Sequence, residues 1–266
     1  MKIVVCIKQV PDTTEVKLDP VTNTLIRDGV PSIINPDDKA GIETALQLKE
    51  TLNDGSTVTV VSMGPFQADV ALREALAMGA DEAYLISDRA FGGSDTLATS
   101  TIIAAGLKKI GFDLVITGRQ AIDGDTAQVG PQIAEHLGIP QVSYAEEVHI
   151  EADGTVVVKR QFEDRYHILE MKTPCLITAL SELAKPRYMS VAGCFDAYRE
   201  KEVKMLTYED LKDLLDPSQI GLKGSPTNVY KSFTKQAKGA GTIYKDLSTD
   251  DAVAAILAKL DERHFI

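Results

Sequence analysis

Up to Pro140 the chain alternates short apolar runs with stretches of helical periodicity, and this alternation restricts the fold more than any other feature. Residues 2–7, 57–62, 82–86 and 113–117 are rich in Val, Ile and Leu and read as strands. Between them, Ile42, Ala45, Leu48 and Leu52 mark one helix, and residues 68–78, closed by Gly79, mark a second. Ser94-Asp95-Thr96 opens a third, which continues through Ile102, Ile103 and Leu107. Such alternation predicts an α/β fold with a Rossmann-like parallel sheet and helices on both faces. With 44% of its 266 residues hydrophobic, the chain can bury a substantial core, which excludes disorder throughout.

Beyond Pro140 the pattern changes. Residues 147–150 and 155–159 flank Glu151-Ala152-Asp153-Gly154, whose Asp-Gly pair signals a β-hairpin turn. A second pair of strands is expected at 167–171 and 175–179, across Lys172-Thr173-Pro174. From Glu182 onward the chain reads as polar and irregular, apart from a helical pattern at 208–215 and a closing helix at 250–263. Val253, Ile256, Leu257 and Leu260 form a narrow apolar stripe on that last helix. Residues 221–241, rich in Gly, Ser and Lys, lead into it, so the stretch has little core of its own and is expected to pack on another subunit or domain. The expected organisation is an α/β domain over residues 1–190 and a docking loop with an extended C-terminal arm over 191–266.

The net charge of −11 argues against non-specific nucleic-acid binding, which needs a positive footprint. An anionic ligand must therefore be held by local donors. No apolar run reaches the length of a membrane span. Residues 1–8 read as a first strand rather than a signal peptide. Cys6, Cys175 and Cys194 lie far apart, with no CxxC and no His at metal spacing, so no metal site is expected. Their arrangement suits a reducing, cytoplasmic compartment.

The segment from Gly118 to Pro131 carries the clearest chemistry. It joins an apolar strand to an amphipathic helix (Val129, Ile133, Leu137), where open α/β sheets place their ligands. Its glycines allow close backbone approach, and Asp125 and Thr126 are expected to cap the helix, leaving amides for phosphate oxygens. A nucleotide phosphate is the expected guest. Asn35-Pro36-Asp37-Asp38 opens an earlier helix; it is either a capping device or a border to adenine or ribose. Met63-Gly64-Pro65 has the same location at a strand end and is either a turn or part of that border. Thr96 and Thr99 add hydroxyls at the head of the third helix. His136, His149, His167 and His264 form no nucleophile–base pair, and GxxxxGK[ST], GxGxxG and GxSxG motifs are missing. A nucleotide-bearing cofactor is thus expected to carry any redox chemistry.

Taken together, these residues resemble the β subunit of electron-transfer flavoproteins over nearly the whole chain. The matching pieces are Val5-Cys6-Ile7-Lys8-Gln9-Val10-Pro11-Asp12, Ala75-Leu76-Ala77-Met78-Gly79-Ala80-Asp81 and the Gly118 loop. They continue with Val158-Lys159-Arg160-Gln161-Phe162-Glu163-Asp164, Thr173-Pro174-Cys175-Leu176-Ile177-Thr178 and Pro186-Arg187-Tyr188. The resemblance implies a heterodimer with an α subunit carrying a redox-active FAD. It places nucleotide contacts on Cys6, Asn35, Pro36, Asp37, Asp38, Met63, Gly118, Arg119, Gln120, Ala121, Ile122, Asp123, Gly124, Asp125, Thr126, Ala127, Gln128 and Val129. Asp123 to Pro131, Ser94 to Thr99, Gly224-Ser225-Pro226-Thr227 and Lys231-Ser232-Phe233-Thr234 resemble the electron-bifurcating subgroup. In that subgroup the nucleotide is a second FAD, reduced by NADH and discharged to ferredoxin or flavodoxin and to an acyl-CoA-dehydrogenase-type partner; AMP is the alternative. Short side chains at Asp95, Thr96 and Thr99 are suited to meet the added length of a flavin. The family's partner-docking loop falls here on Val191, Ala192 and Gly193.

Overall fold

The computed structural model describes residues 1–12, 31–227, 239, 241 and 243–266. The strands are β1 (Lys2–Cys6), β2 (Gln9–Pro11), β3 (Ser32–Ile34), β4 (Thr57–Met63), β5 (Glu82–Ile86), β6 (Leu114–Gly118), β7 (Gln141–Ile150), β8 (Val156–Gln161), β9 (Tyr166–Met171), β10 (Cys175–Ala179) and β11 (Val203–Leu206). The α-helices are α1 (Pro36–Leu52), α2 (Asp69–Met78), α3 (Thr96–Ile110), α4 (Val129–Leu137), α5 (Val191–Arg199), α6 (Tyr208–Leu211) and α7 (Thr249–Glu262).

One sheet organises the chain, in the order β11-β5-β4-β1-β6-β10-β7-β8-β9. The strands from β11 to β7 are parallel to their neighbours, and β8 and β9 add an antiparallel extension. The expected Rossmann-like architecture is therefore present. Side-chain alternation in β1 shows why both faces carry helices. Ile3, Val5 and Ile7 join a core with Ala45 and Leu46 of α1 and Leu72 and Leu76 of α2. Val4 and Cys6 point the other way, into a core with Ile102 of α3 and Ile133 of α4. Each such fully buried aliphatic side chain contributes about 1.5–3 kcal/mol relative to exposure.

After β1 the sheet grows through β4 and β5 on one side, and α3 then returns the chain to β6 on the other. The strand order thus reverses between β1 and β6, which creates a crevice beyond their C-terminal ends.

Two expectations change. β9 and β10 do not pair with each other: β9 pairs with β8, while β10 lies between β6 and β7. All five β10 residues are buried, which suits the middle of a parallel sheet, whereas β9 exposes every position except Leu169 and Met171. The region after Glu182 is not irregular, because it contains α5 and β11. β11 extends the sheet in parallel beside β5, so described residues up to Thr227 cluster in one compact unit and those from Gly239 in another. Pairing with β5 holds β11 on the sheet.

α7 stands in the second unit. Ser248 caps it by accepting from the Asp251 amide at 3.2 Å, and Val253, Ile256, Leu257 and Leu260 are exposed along it. Residues 231–234 lie outside the described residues. Among the described residues, no helix is long and apolar enough to cross a membrane.

Candidate functional site

The crevice is closed at its base by two buried side chains from the head of α1. Pro36 occupies the first helical position, and Asn35 is the N-cap residue, yet neither Asn35 nor the aspartates cap α1 with a side chain. Asn35 instead reaches across to the loop after β6. Its Nδ2 donates to the Gln120 carbonyl at 2.9 Å, and its Oδ1 accepts from the Ile122 amide at 3.1 Å. Asp38 accepts from the Lys8 amide at 2.7 Å, the Gly118 amide at 3.0 Å and Asn35 Nδ2 at 3.1 Å. Asp38 therefore joins the ends of β1 and β6 directly. Burial pushes its carboxyl up to about 7, against the pull of these three donors.

Gly118 is required by this arrangement: a Cβ there would sit 2.1 Å from Asp38 Oδ1. At the start of α4, a Cβ on Gly130 would sit 2.5 Å from Thr117 Oγ1, so the helix begins hard against the strand ends. Burial also raises the Asp37 carboxyl, and Arg119 offsets part of that rise. Arg119 Nε lies 3.4 Å from Asp37 Oδ2 as an ion pair, and both buried atoms lack a hydrogen bond among the described residues. The Cys6 thiol, buried at the end of β1, is pushed up to about 12 by burial and by nearby Asp38, so it stays a protonated packing group.

The loop from Arg119 to Gln128 covers this base. Gly124 and Asp125 amides both donate to the Ala121 carbonyl, at 3.1 and 2.9 Å, and Gln120 Nε2 donates to Asp125 Oδ1 at 2.9 Å. Asp123 pairs with Lys8 Nζ at 2.7 and 2.9 Å. Sequence reasoning did not single out this Lys8–Asp123 pair, although a cation directly after the first apolar strand was the available signal. Asp125 and Ala127 adopt left-handed φ angles of 51° and 52°. Contrary to expectation, Asp125 and Thr126 do not cap α4. The N-cap is Gln128 and no side chain caps it, because the left-handed turn at Ala127 delays the helix to Val129. The amides of Thr126, Ala127 and Gln128 have no partner among the described residues. They stand at the positive end of α4, an arrangement suited to an anion.

Met63, at the end of β4, lines a cavity of about 120 Å³ with Lys8, Pro11, Ser32 and Gly64. On the other side, Asp95 caps α3 by accepting from the Ala98 amide at 3.0 Å. Thr96 Oγ1 donates to Gln128 Oε1 at 2.8 Å, which ties α3 to the loop, and Thr99 sits half-buried in the same first turn. The structure therefore gathers Cys6, residues 35–38, Met63, residues 95–99 and residues 118–129 around strands β1, β4 and β6.

Val191, Ala192 and Gly193 lie elsewhere, in the first turn of α5 rather than in a loop. Ser190 caps this helix through the Gly193 amide at 2.9 Å, and a Cβ on Gly193 would sit 2.4 Å from the Ala77 carbonyl of α2. Tyr188, Met189, Val191 and Phe195 make an exposed apolar patch there. Arg187 holds the segment to α1 through Glu43 at 2.8 Å and Glu50 at 2.6 Å.

The model of the electron transfer flavoprotein domain matches residues 22–211 of this chain. The chain belongs to the electron transfer flavoprotein family. It is 60% identical, over the whole of both chains, to an electron transfer flavoprotein subunit beta of Clostridium acetobutylicum. A subunit beta of Thermoanaerobacterium thermosaccharolyticum is 56% identical over the same coverage. Subunit CarD of the caffeyl-CoA reductase-Etf complex of Acetobacterium woodii is 54% identical, again across both full chains.

Proposed function

We propose that this chain is the β subunit of a heterodimeric, electron-bifurcating flavoprotein and holds FAD in the crevice between β1 and β6. The observation that carries the reading is the row of amides at residues 126–128, unpartnered among the described residues, at the head of α4 and beyond the Asn35–Asp38 bracket. Buried Arg119 Nε, without a hydrogen bond among the described residues, adds a cationic donor beside the head of α1. These groups fit a diphosphate. The crevice also continues through Gln128 and Thr96 to the first turn of α3, a length that favours FAD over AMP. High identity to a subunit of a caffeyl-CoA reductase-Etf complex supports the bifurcating reading.

Bound there, FAD would supply hydride acceptance from NADH and electron transfer to ferredoxin or flavodoxin and, through the α-subunit FAD, to an acyl-CoA-dehydrogenase-type partner. The chain's own residues bind and orient. Amides 126–128 and Arg119 hold the diphosphate, and Thr96 and Thr99 offer hydroxyls to the ribityl chain. Asn35 and Asp38 fix the separation of the two loops rather than meeting the ligand, since their polar atoms are already engaged. The exposed patch around Val191 is the docking surface for the dehydrogenase, and the apolar stripe of α7 packs on the α subunit. Free Cys6 and Cys175 suit a cytoplasmic protein.

The visible spectrum and nucleotide content of the complex purified with its α subunit test this reading. Two FAD per heterodimer, bleached by NADH, are expected. One FAD plus AMP would overturn the bifurcating assignment.

A further inference from the structure

The root of the C-terminal arm, residues 220–227, lies against the loop that leads into α3. Leu222 donates its amide to the Gly92 carbonyl at 3.1 Å. Buried Ser225 Oγ donates to the Gly221 carbonyl at 2.7 Å and accepts from the Asp95 amide at 2.8 Å. Thr227 donates its amide to Asp95 Oδ2 at 3.0 Å. The fit is close, since a Cβ on Gly221, whose φ is +61°, would fall 2.3 Å from the Ala90 carbonyl.

Asp95 therefore serves two partners. One oxygen caps α3 through Ala98, and the other holds the arm root through Thr227. Burial works against ionisation, but these amide donors outweigh it and hold the carboxyl below its ordinary range. Next along the chain, Thr96 donates to Gln128 at the head of α4. An unbroken path thus runs from the arm root through Asp95 and Thr96 to the loop over the crevice.

We propose that Asp95 is a latch between the arm root and the cofactor crevice, a positioning residue that links ligand binding to the order of residues 220–227. The inference rests on the reading that the crevice takes a nucleotide. A ligand that holds Thr96 and the 118–128 loop in register also holds Asp95 under Thr227. By reciprocity, a seated arm root raises affinity for that ligand.

Asp95→Asn separates the two duties. Its Oδ1 still caps α3, because Asn is a good N-cap, but its Nδ2 cannot accept from Thr227. The assay is hydrogen exchange on the full chain co-purified with its α subunit, stripped of nucleotide and titrated with FAD. In the variant, residues 220–227 are expected to exchange about tenfold faster while α3 is unchanged, the effect of losing a hydrogen bond to a charged group. FAD is expected to protect residues 220–227 in the wild type and not in the variant, with affinity for FAD about tenfold weaker in the variant. Ser225→Ala, which removes the partner of the Asp95 amide, is expected to act in the same direction. Equal protection of residues 220–227 in wild type and both variants would overturn the latch. FAD binding with equal affinity to all three and no change in that segment would overturn the linkage while leaving the cofactor reading intact. A wild-type complex that takes up no FAD would overturn both.

Discussion

Asp38 makes the pH dependence of this fold predictable. Its carboxyl is 6% exposed and titrates in the native protein at about 7, against an ordinary value of 3.8. The native state therefore favours the protonated form. Stability from this group is fully present below pH 3.8 and is lost as pH rises through about 7. Each pH unit in that window costs about 1.4 kcal/mol. Between pH 5 and pH 8 the wild type should thus lose roughly 2–3 kcal/mol through Asp38 alone. Glu43 and Asp95, whose values are lowered, contribute with the opposite sign and titrate below this window, where stability from them is lost as pH falls. Asp38→Asn isolates the contribution, because the remaining groups are common to both proteins. The assay is urea unfolding of wild type and variant at pH 5, 6, 7 and 8. The variant is less stable at pH 5, since one of the Lys8 and Gly118 amides faces its NH₂ group, at a cost of about 1–3 kcal/mol. That deficit should shrink by roughly 2–3 kcal/mol by pH 8. Parallel pH profiles would refute the claim that burial dominates the titration of Asp38.

Other perturbations probe the same architecture. Gly118→Ala drives a methyl into Asp38 Oδ1 and should cost at least about 1–3 kcal/mol by urea unfolding, with loss of co-purifying nucleotide by chromatography. Arg187→Met leaves the buried Glu43 carboxylate without its cation, for a loss of about 2–4 kcal/mol at pH 7 that shrinks on acidification, measured by thermal and urea unfolding. Val191→Asp places a charge at the 76%-exposed head of α5 and should abolish reduction of the dehydrogenase partner while leaving NADH oxidation by an artificial acceptor intact. Survival of both activities would remove the docking assignment.

Much of the fold was legible because hydrophobic period is a local property. β1, β4, β5 and β6 follow from short apolar runs, and the Asp95 cap and the Gly79 stop follow from residue chemistry at helix ends. α5 and β11 were not legible. β11 has four residues with only Leu206 buried, and it becomes a strand because the edge of β5 supplies its hydrogen bonds. The placement of β10 between β6 and β7 was hidden for a related reason: five apolar residues state that a strand is buried but not which neighbours bury it.

The site divides in the same way. By itself the sequence determined that an α/β sheet would end in a glycine-bearing loop at a strand–helix junction, since those preferences belong to each residue and its near neighbours. Only the tertiary structure decided what the polar residues do there. Asn35 and Asp38 read as ligand contacts or caps, yet they bind the Lys8, Gly118 and Ile122 amides across 30, 80 and 87 residues of chain. Asp95 read as a flavin contact, yet its second oxygen holds Thr227, 132 residues away. A buried carboxylate takes whichever donors the packed chain brings to it, and that choice is made by long-range contacts that no local pattern records.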